Sequence, residues 1–160
     1  MKVNTIFKIA FLLVIVFNSC SKKDTSELIC DAGFEGANCN LEIRTKFIGD
    51  FSVVDNFTRT LNNTEVDFTS NYETSIEANG TGVLNIKIIN FFDLTSLGAG
   101  NDNFVVARIE NETIVIDAQR VFGVTFQGTG EIVNGIITIN WTGEESPTLS
   151  YRGTSKYTLK

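Results

Sequence analysis

At 160 residues, with 42% hydrophobic and 20% charged content, the chain is long enough for one packed domain with short attachments and is not disorder-like. Its formal charge of −6 argues against nucleic acid as a partner, because phosphate binding calls for clustered Lys and Arg. It contains no His, so the usual general base and the commonest metal ligand are missing, and neither a metal nor a cofactor is expected.

Residues 1–20 read MKVNTIFKIAFLLVIVFNSC. Lys2 and Lys8 form a basic n-region, and Ile9 to Phe17 form an unbroken apolar run of nine. This pattern fits the h-region of a secretory signal peptide and falls short of the roughly 17–25 residues of a membrane span. A buried N-terminal helix is the rival reading, and it leaves the polar stretch after the run unexplained. Loss of Lys2 and Lys8 with the leader takes the charge from −6 to −8.

The junction resembles the lipobox of bacterial lipoproteins, in which a small residue precedes an acylated Cys. Ser19 and Cys20 match it, whereas Phe17 and Asn18 stand where Leu and a small residue are usual. The resemblance implies a signal peptide over 1–19 and lipidation of Cys20 by palmitate-type chains. With Ser21 rather than Asp next, it also implies passage to the outer membrane. Acyl chains anchor through about 0.8 kcal/mol per buried CH₂. Ordinary secretion with a free Cys20 is the alternative. Residues 21–29, SKKDTSELI, show no periodicity, so 20–29 reads as a lipidated tether. Lys22-Lys23-Asp24 resembles the charged export signal of some surface lipoproteins; the plain alternative is a solvated linker.

Cys30 to Cys39 read CDAGFEGANC. In an oxidising compartment two such cysteines form a disulfide by default, and Gly33 and Gly36 permit the tight turns that bring the sulfurs together. A zinc site is a poor rival, since two Cys without His cannot complete a tetrahedron. The spacing resembles the last loop of an EGF-like module, matched by Cys30, Gly33, Phe34, Gly36 and Cys39. The other cysteines of a full module are absent, so the loop over 30–39 implies a rigid spacer and no calcium site.

From Lys46 onward apolar and polar residues alternate between Gly- and Asn-rich punctuation, without a helical stripe. The predicted strands are Lys46–Val54, Val66–Ala78 (interrupted near Ser70-Asn71), Val83–Phe91, Phe104–Ile109, Thr113–Ile116, Phe122–Val133, Ile136–Thr142 and Thr148–Leu159. Turns are signalled at Asn79-Gly80, Gly98 to Asn103, Glu110-Asn111-Glu112, Asn134-Gly135 and Gly143 to Pro147. The expected fold class is all-β: an antiparallel meander of about eight strands over 44–160, closed as a barrel or flattened barrel.

Asn134-Gly135 is the preferred type I′ pair, and a two-residue loop fixes register. Ile132 then faces Ile137, Gly130 faces Ile139 and Gly128 faces Trp141. Ile132, Ile137, Ile139 and Trp141 share one face, and the glycines leave room for the larger side chains to lie across them. On the last strand Leu149, Tyr151, Ser155, Tyr157 and Leu159 point one way, and Arg152, Thr154, Lys156, Thr158 and Lys160 the other. Pairing this strand with the first would remove both sheet edges.

Gly49-Asp50-Phe51 resembles the Gly-x-Trp opening of lipocalin-like barrels, with Phe51 in the Trp position. In that family an Arg on the last strand packs over the Trp. Arg152 is the counterpart here, although alternation turns it outward. The whole layout, a lipobox, an EGF-like loop and then a lipocalin-like β domain, resembles small surface lipoproteins of Gram-negative bacteria.

Three functions are compatible with these residues. The first is a non-catalytic surface or envelope lipoprotein, held to the membrane by its N-terminal lipid, with outward Thr and Asn contacting a protein or glycan. The second is a carrier for a small hydrophobic ligand lined by the Phe, Tyr and Trp side chains, which serve equally well as core. The third is a hydrolase built on carboxylates such as Asp67, Glu73, Asp93, Asp102, Asp117 and Glu131, which otherwise read as solvated surface acids. The loop from Gly98 to Asn103 lacks the spacing of a calcium loop and reads as a turn. Phe91-Phe92 puts one ring outward, as a contact patch would, unless the strand ends there; a strand end with both rings tucked in is the preferred reading. The Asn-x-Thr matches at Asn56, Asn62, Asn79, Asn111 and Asn140 follow from composition and imply no glycans.

Overall fold

A computed structural model describes residues 29–98 and 103–160. The expected leader, Cys20, the tether up to residue 28 and most of the Gly98–Asn103 loop, Asp102 included, lie outside the described residues.

A two-stranded hairpin comes first, β1 (Phe34–Glu35) and β2 (Leu41–Glu42), then a 3-10 turn at Ile43–Lys46. The barrel strands are β3 (Gly49–Leu61), β4 (Thr64–Ala78), β5 (Asn85–Ile89), β6 (Phe104–Glu110), β7 (Thr113–Val121), β8 (Val124–Val133), β9 (Ile136–Ser146) and β10 (Leu149–Leu159). Each pairs antiparallel with the next, and β10 returns to β3, so the sheet closes into an eight-stranded barrel. The expected closure of the last strand on the first is present, with Ser155 opposite Asp55 and Leu159 opposite Phe51. The hairpin at Asn134-Gly135 has the expected register, Ile132 opposite Ile137 and Gly128 opposite Trp141.

Several strand ends differ from expectation. β3 begins at Gly49, because Ile43–Lys46 forms the 3-10 turn, and it runs past Val54 to Leu61. β4 begins at Thr64 and continues unbroken through Ser70 and Asn71. The turn between them is Asn62-Asn63, both with positive φ (47° and 66°), a left-handed pair that Asn tolerates. β7 extends to Val121, β8 starts after the Phe122-Gly123 turn, and β9 runs through Gly143 to Ser146. Where strands run longer than expected, the added segments are polar on their outer side, so apolar alternation fades; ladder pairing keeps them extended, from both neighbours for β3 and β9, from β3 alone for the start of β4 and from β8 alone for the end of β7.

The barrel is filled from within. Trp141, Phe126, Tyr157, Ile137 and Ile139 are buried along the wall. The connection after β5 adds Phe91, Phe92 and Leu94, all buried. β5 ends at Ile89, and Asn90, Phe92 and Asp93 take left-handed φ (54°, 57° and 51°), which turns both rings inward. Phe92 lies 4.8 Å from Trp141, 5.0 Å from Phe57 and 5.4 Å from Tyr151 between ring centroids.

The small hairpin is fastened to one end of the barrel. The Sγ atoms of Cys30 and Cys39 lie at bonding distance, with Cα atoms 5.2 Å apart. Ile43 N–H donates to the Gly33 carbonyl at 2.9 Å, and Arg44 Nη1 donates to the Gly82 carbonyl at 2.8 Å. Lys46 Nζ lies 2.6 Å from both Glu35 and Glu112. Gly33 sits so close to Val83 that a Cβ there would fall 2.5 Å from Val83 Cγ2.

Candidate functional site

On a strand, successive side chains face opposite sides. In the middle of the wall the inward positions are Phe57, Gly153, Trp141 and Gly128, adjacent across β3, β10, β9 and β8. Trp141 thus has a glycine partner on each side. A Cβ at Gly153 would lie 2.6 Å from Phe57 Cβ and 2.9 Å from Trp141 Cζ2, and one at Gly128 would lie 2.6 Å from the Asn140 carbonyl oxygen. With no inward side chain to hold them off, β8 and β10 lie against the indole and its neighbours.

The outer side of this stretch is hollow, a groove of about 940 Å³ whose floor includes Gly128, Trp141 and Gly153. A depression of about 490 Å³ continues it and shares Gln127, Thr142 and Arg152. Two rows of outward residues cross it. One runs Asp67, Thr58, Arg152, Thr142, Gln127. The other runs Thr69, Asn56, Thr154, Asn140, Thr129, Val115.

These side chains are tied across strands. Thr58 Oγ1 donates to Asp67 Oδ1 at 2.7 Å, Thr69 Oγ1 to Asn56 Oδ1 at 2.9 Å, and Thr154 Oγ1 to Asn140 Oδ1 at 2.8 Å. Both amides accept through oxygen, and Nδ2 of Asn56 and of Asn140 has no protein partner among the described residues. Arg152 forms a bidentate pair with Glu65, both contacts at 2.9 Å. The groove therefore offers chiefly neutral donors and acceptors beside the carboxylates of Asp67 and Asp117, and its one guanidinium is already matched.

A second polar cluster lies inside. Asp55 is fully buried, and Tyr72 Oη donates to its Oδ2 at 2.9 Å. The Phe92 N–H donates to Tyr72 Oη at 3.1 Å, which fastens the inward turn to the wall. Trp141 Nε1 donates to Ser155 Oγ at 2.8 Å. Asp55 Oδ1 and the Tyr157 hydroxyl are buried without a partner among the described residues. Burial raises the Asp55 pKa above the usual carboxyl value, partly offset by Ser155, Tyr72 and Trp141. Burial also pushes the Tyr72 and Tyr157 hydroxyls up. With no exposed surface, Asp55 cannot meet a substrate from solvent and belongs to the core.

Sequence reasoning passed over Asp55, yet its signal was there: it has the parity of Phe51 and Val53. The acids it did single out are dispersed. Asp67 accepts from Thr58, Glu73 pairs with Lys160, Asp93 accepts from Asn90, Asp117 pairs with Arg108, and Glu131 is exposed. Among the described residues no three His, Cys, Asp or Glu side chains converge as a metal site would require. Arg152 does not pack over Phe51: it faces outward to Glu65, and the Phe51 ring meets Tyr157 edge-on at 6.1 Å. The reason is position, since Arg152 stands opposite Thr58, several residues along β3 from Phe51.

Comparison with known proteins returns no match: no family model, no curated protein and no solved structure is similar to this chain.

Proposed function

We propose that the chain is a lipid-anchored envelope lipoprotein whose barrel works by binding, without catalysis, through its outer groove. The observation that carries this is the groove itself: a hollow of about 940 Å³ whose Thr and Asn side chains are held in place by cross-strand hydrogen bonds. Side chains ordered in advance lose less entropy when a partner arrives. The aromatic packing of Phe57, Phe92, Phe126 and Trp141 fills the interior and favours this reading over a carrier. The dispersal of the acids favours it over a hydrolase.

Anchorage rests on the signal-like run over 1–19 and the lipobox-like Ser19-Cys20, and it places the protein at the outer membrane through acylated Cys20. The Cys30–Cys39 loop, fastened to the barrel by Arg44 and Lys46, then acts as a stiff spacer between tether and groove. Mass spectrometry of the native chain tests the anchor: a mature N-terminus at Cys20 carrying acyl mass is expected, and an intact Met1 or an unmodified Cys20 refutes it. Thr142→Arg tests the groove. Immobilised wild type is expected to retain envelope material that the folded variant does not, and equal retention by both refutes the groove as the binding face.

A further inference from the structure

The geometry points to a neutral polysaccharide as the ligand of the outer groove, laid across the strands along the two polar rows. This rests on the reading of the barrel as a binding module and names the ligand class.

Charge comes first. Among the residues that line the groove Arg152 is the one basic side chain, and Glu65 occupies both faces of its fork. Asp67 and Asp117 are the other charged lining residues. A phosphate, sulfate or uronate would therefore meet acid rather than a free cation. Composition comes next. Protein interfaces centre on aromatic, Met and Arg anchors. Here the outward side chains between β4 and β8 are Thr, Asn, Gln and Asp, and the one unmatched-looking anchor, Arg152, is spoken for. Phe68 stands at the rim, stacked on Phe57 at 5.3 Å and with the Arg59 guanidinium 5.4 Å from its ring centre. Phe68, 39% exposed, is the one large apolar side chain exposed along the groove, and a single ring at the rim falls short of the central cluster of anchors that a folded protein grips.

A sugar chain suits what remains. Each hydroxyl of a polyol both donates and accepts, as the Thr hydroxyls and the Asn and Gln amides do. The Asn56 and Asn140 Nδ2 groups are exposed donors with no protein partner among the described residues. Strands lie about 4.7–4.9 Å apart, so the row from Thr69 to Val115 spans roughly 24 Å. That is an elongated, regularly spaced array, matched to a repeating ligand more than to a compact one. Trp141 lies beneath it, bonded inward to Ser155, and its emission can report on the groove without itself being a contact.

The test uses the full mature lipoprotein in detergent, run by affinity electrophoresis through gels containing dextran, mannan or a soluble β-glucan, with polygalacturonate as the acidic control. At least one neutral polymer is expected to retard the protein, and polygalacturonate is not. The double variant Asn56→Ala/Asn140→Ala is expected to weaken binding by about tenfold or more, the loss of roughly two hydrogen bonds. Thr142→Arg is expected to abolish it, while Thr138→Val, outside the groove lining, leaves it unchanged. Far-ultraviolet circular dichroism confirms that each variant is folded. Absence of retardation by all three neutral polymers, or retardation indifferent to the groove variants, overturns the inference. If the acidic polymer or an envelope protein is instead retained and Thr142→Arg removes it, the ligand class is wrong and the binding-module reading stands. If wild type and Thr142→Arg behave alike towards every probe, both fall.

Discussion

Two faces of one stretch of wall obey different rules. On the inside, Gly128, Trp141, Gly153 and Phe57 form a row in which two residues have no side chain and two have very large ones. One residue further along each strand, on the outside, Thr129, Asn140, Thr154 and Asn56 form a row of similar, short, polar side chains. The inner row is governed by volume: the glycines exist because an indole and a phenyl ring need the space. The outer row is governed by hydrogen bonding between neighbours. The difference teaches that core and site can share a backbone without sharing a side chain.

The comparison can be broken by mutation, and the largest effect is expected at its centre. Trp141→Ala should cost about 3–5 kcal/mol, read from urea unfolding followed by circular dichroism, because a buried aromatic in contact with several rings is lost. Gly153→Ala should cost about 1–3 kcal/mol in the same assay, since the new methyl falls 2.6 Å from Phe57 Cβ and 2.9 Å from the Asn56 carbonyl oxygen. A neutral outcome for Gly153→Ala would mean that the wall can move away from the indole, and volume would no longer govern the inner row.

A finer distinction concerns pH. The folded-state pKa of Asp55 lies above the ordinary value of an aspartate carboxyl, chiefly through burial. The native state therefore holds this proton more tightly than the unfolded chain does. The stabilisation is fully present below the unfolded value and is lost as pH rises through the folded one. Wild type should accordingly gain stability on mild acidification from neutral pH relative to Asp55→Asn, which should be flat in that window and no less stable than wild type at pH 7. A Tm series of the pair against pH settles this, and parallel curves would assign the pH dependence elsewhere. The smallest effects belong to the outer rows. Thr58→Val and Thr142→Val should each change stability by no more than about 0.5 kcal/mol in either direction. Losses there as large as at Gly153 would make the outer face structural and remove the physical distinction between the two sides.

Alternation along the chain, read without coordinates, was enough for the all-β class, the antiparallel meander, the Asn134-Gly135 hairpin with its register, the partnership of Gly128 and Gly130 with Trp141 and Ile139, and the pairing of Cys30 with Cys39. These are local or nearest-neighbour properties, set by a period of two, a turn type or a short loop. It stopped short where the decision is made by distant strands. The extension of β3 to Leu61 depends on β10 and β4 flanking a polar segment on both sides. At Phe91-Phe92 the sequence favours a strand end with both rings tucked in, but the left-handed turn that seats them depends on a barrel lumen able to receive both. Asp55 has inward parity in the sequence, but only the closed barrel makes that position dry. The outer groove is the clearest case: its residues lie on strands scattered from Asn56 to Thr154, and although the β8–β9 hairpin is legible in one sequence window, only the long-range pairing of β10 with β3 brings its two halves together. Chain chemistry chose which residues face out; closure of the barrel, β10 onto β3, decided that they line one hollow, because that pairing joins strands far apart in the chain.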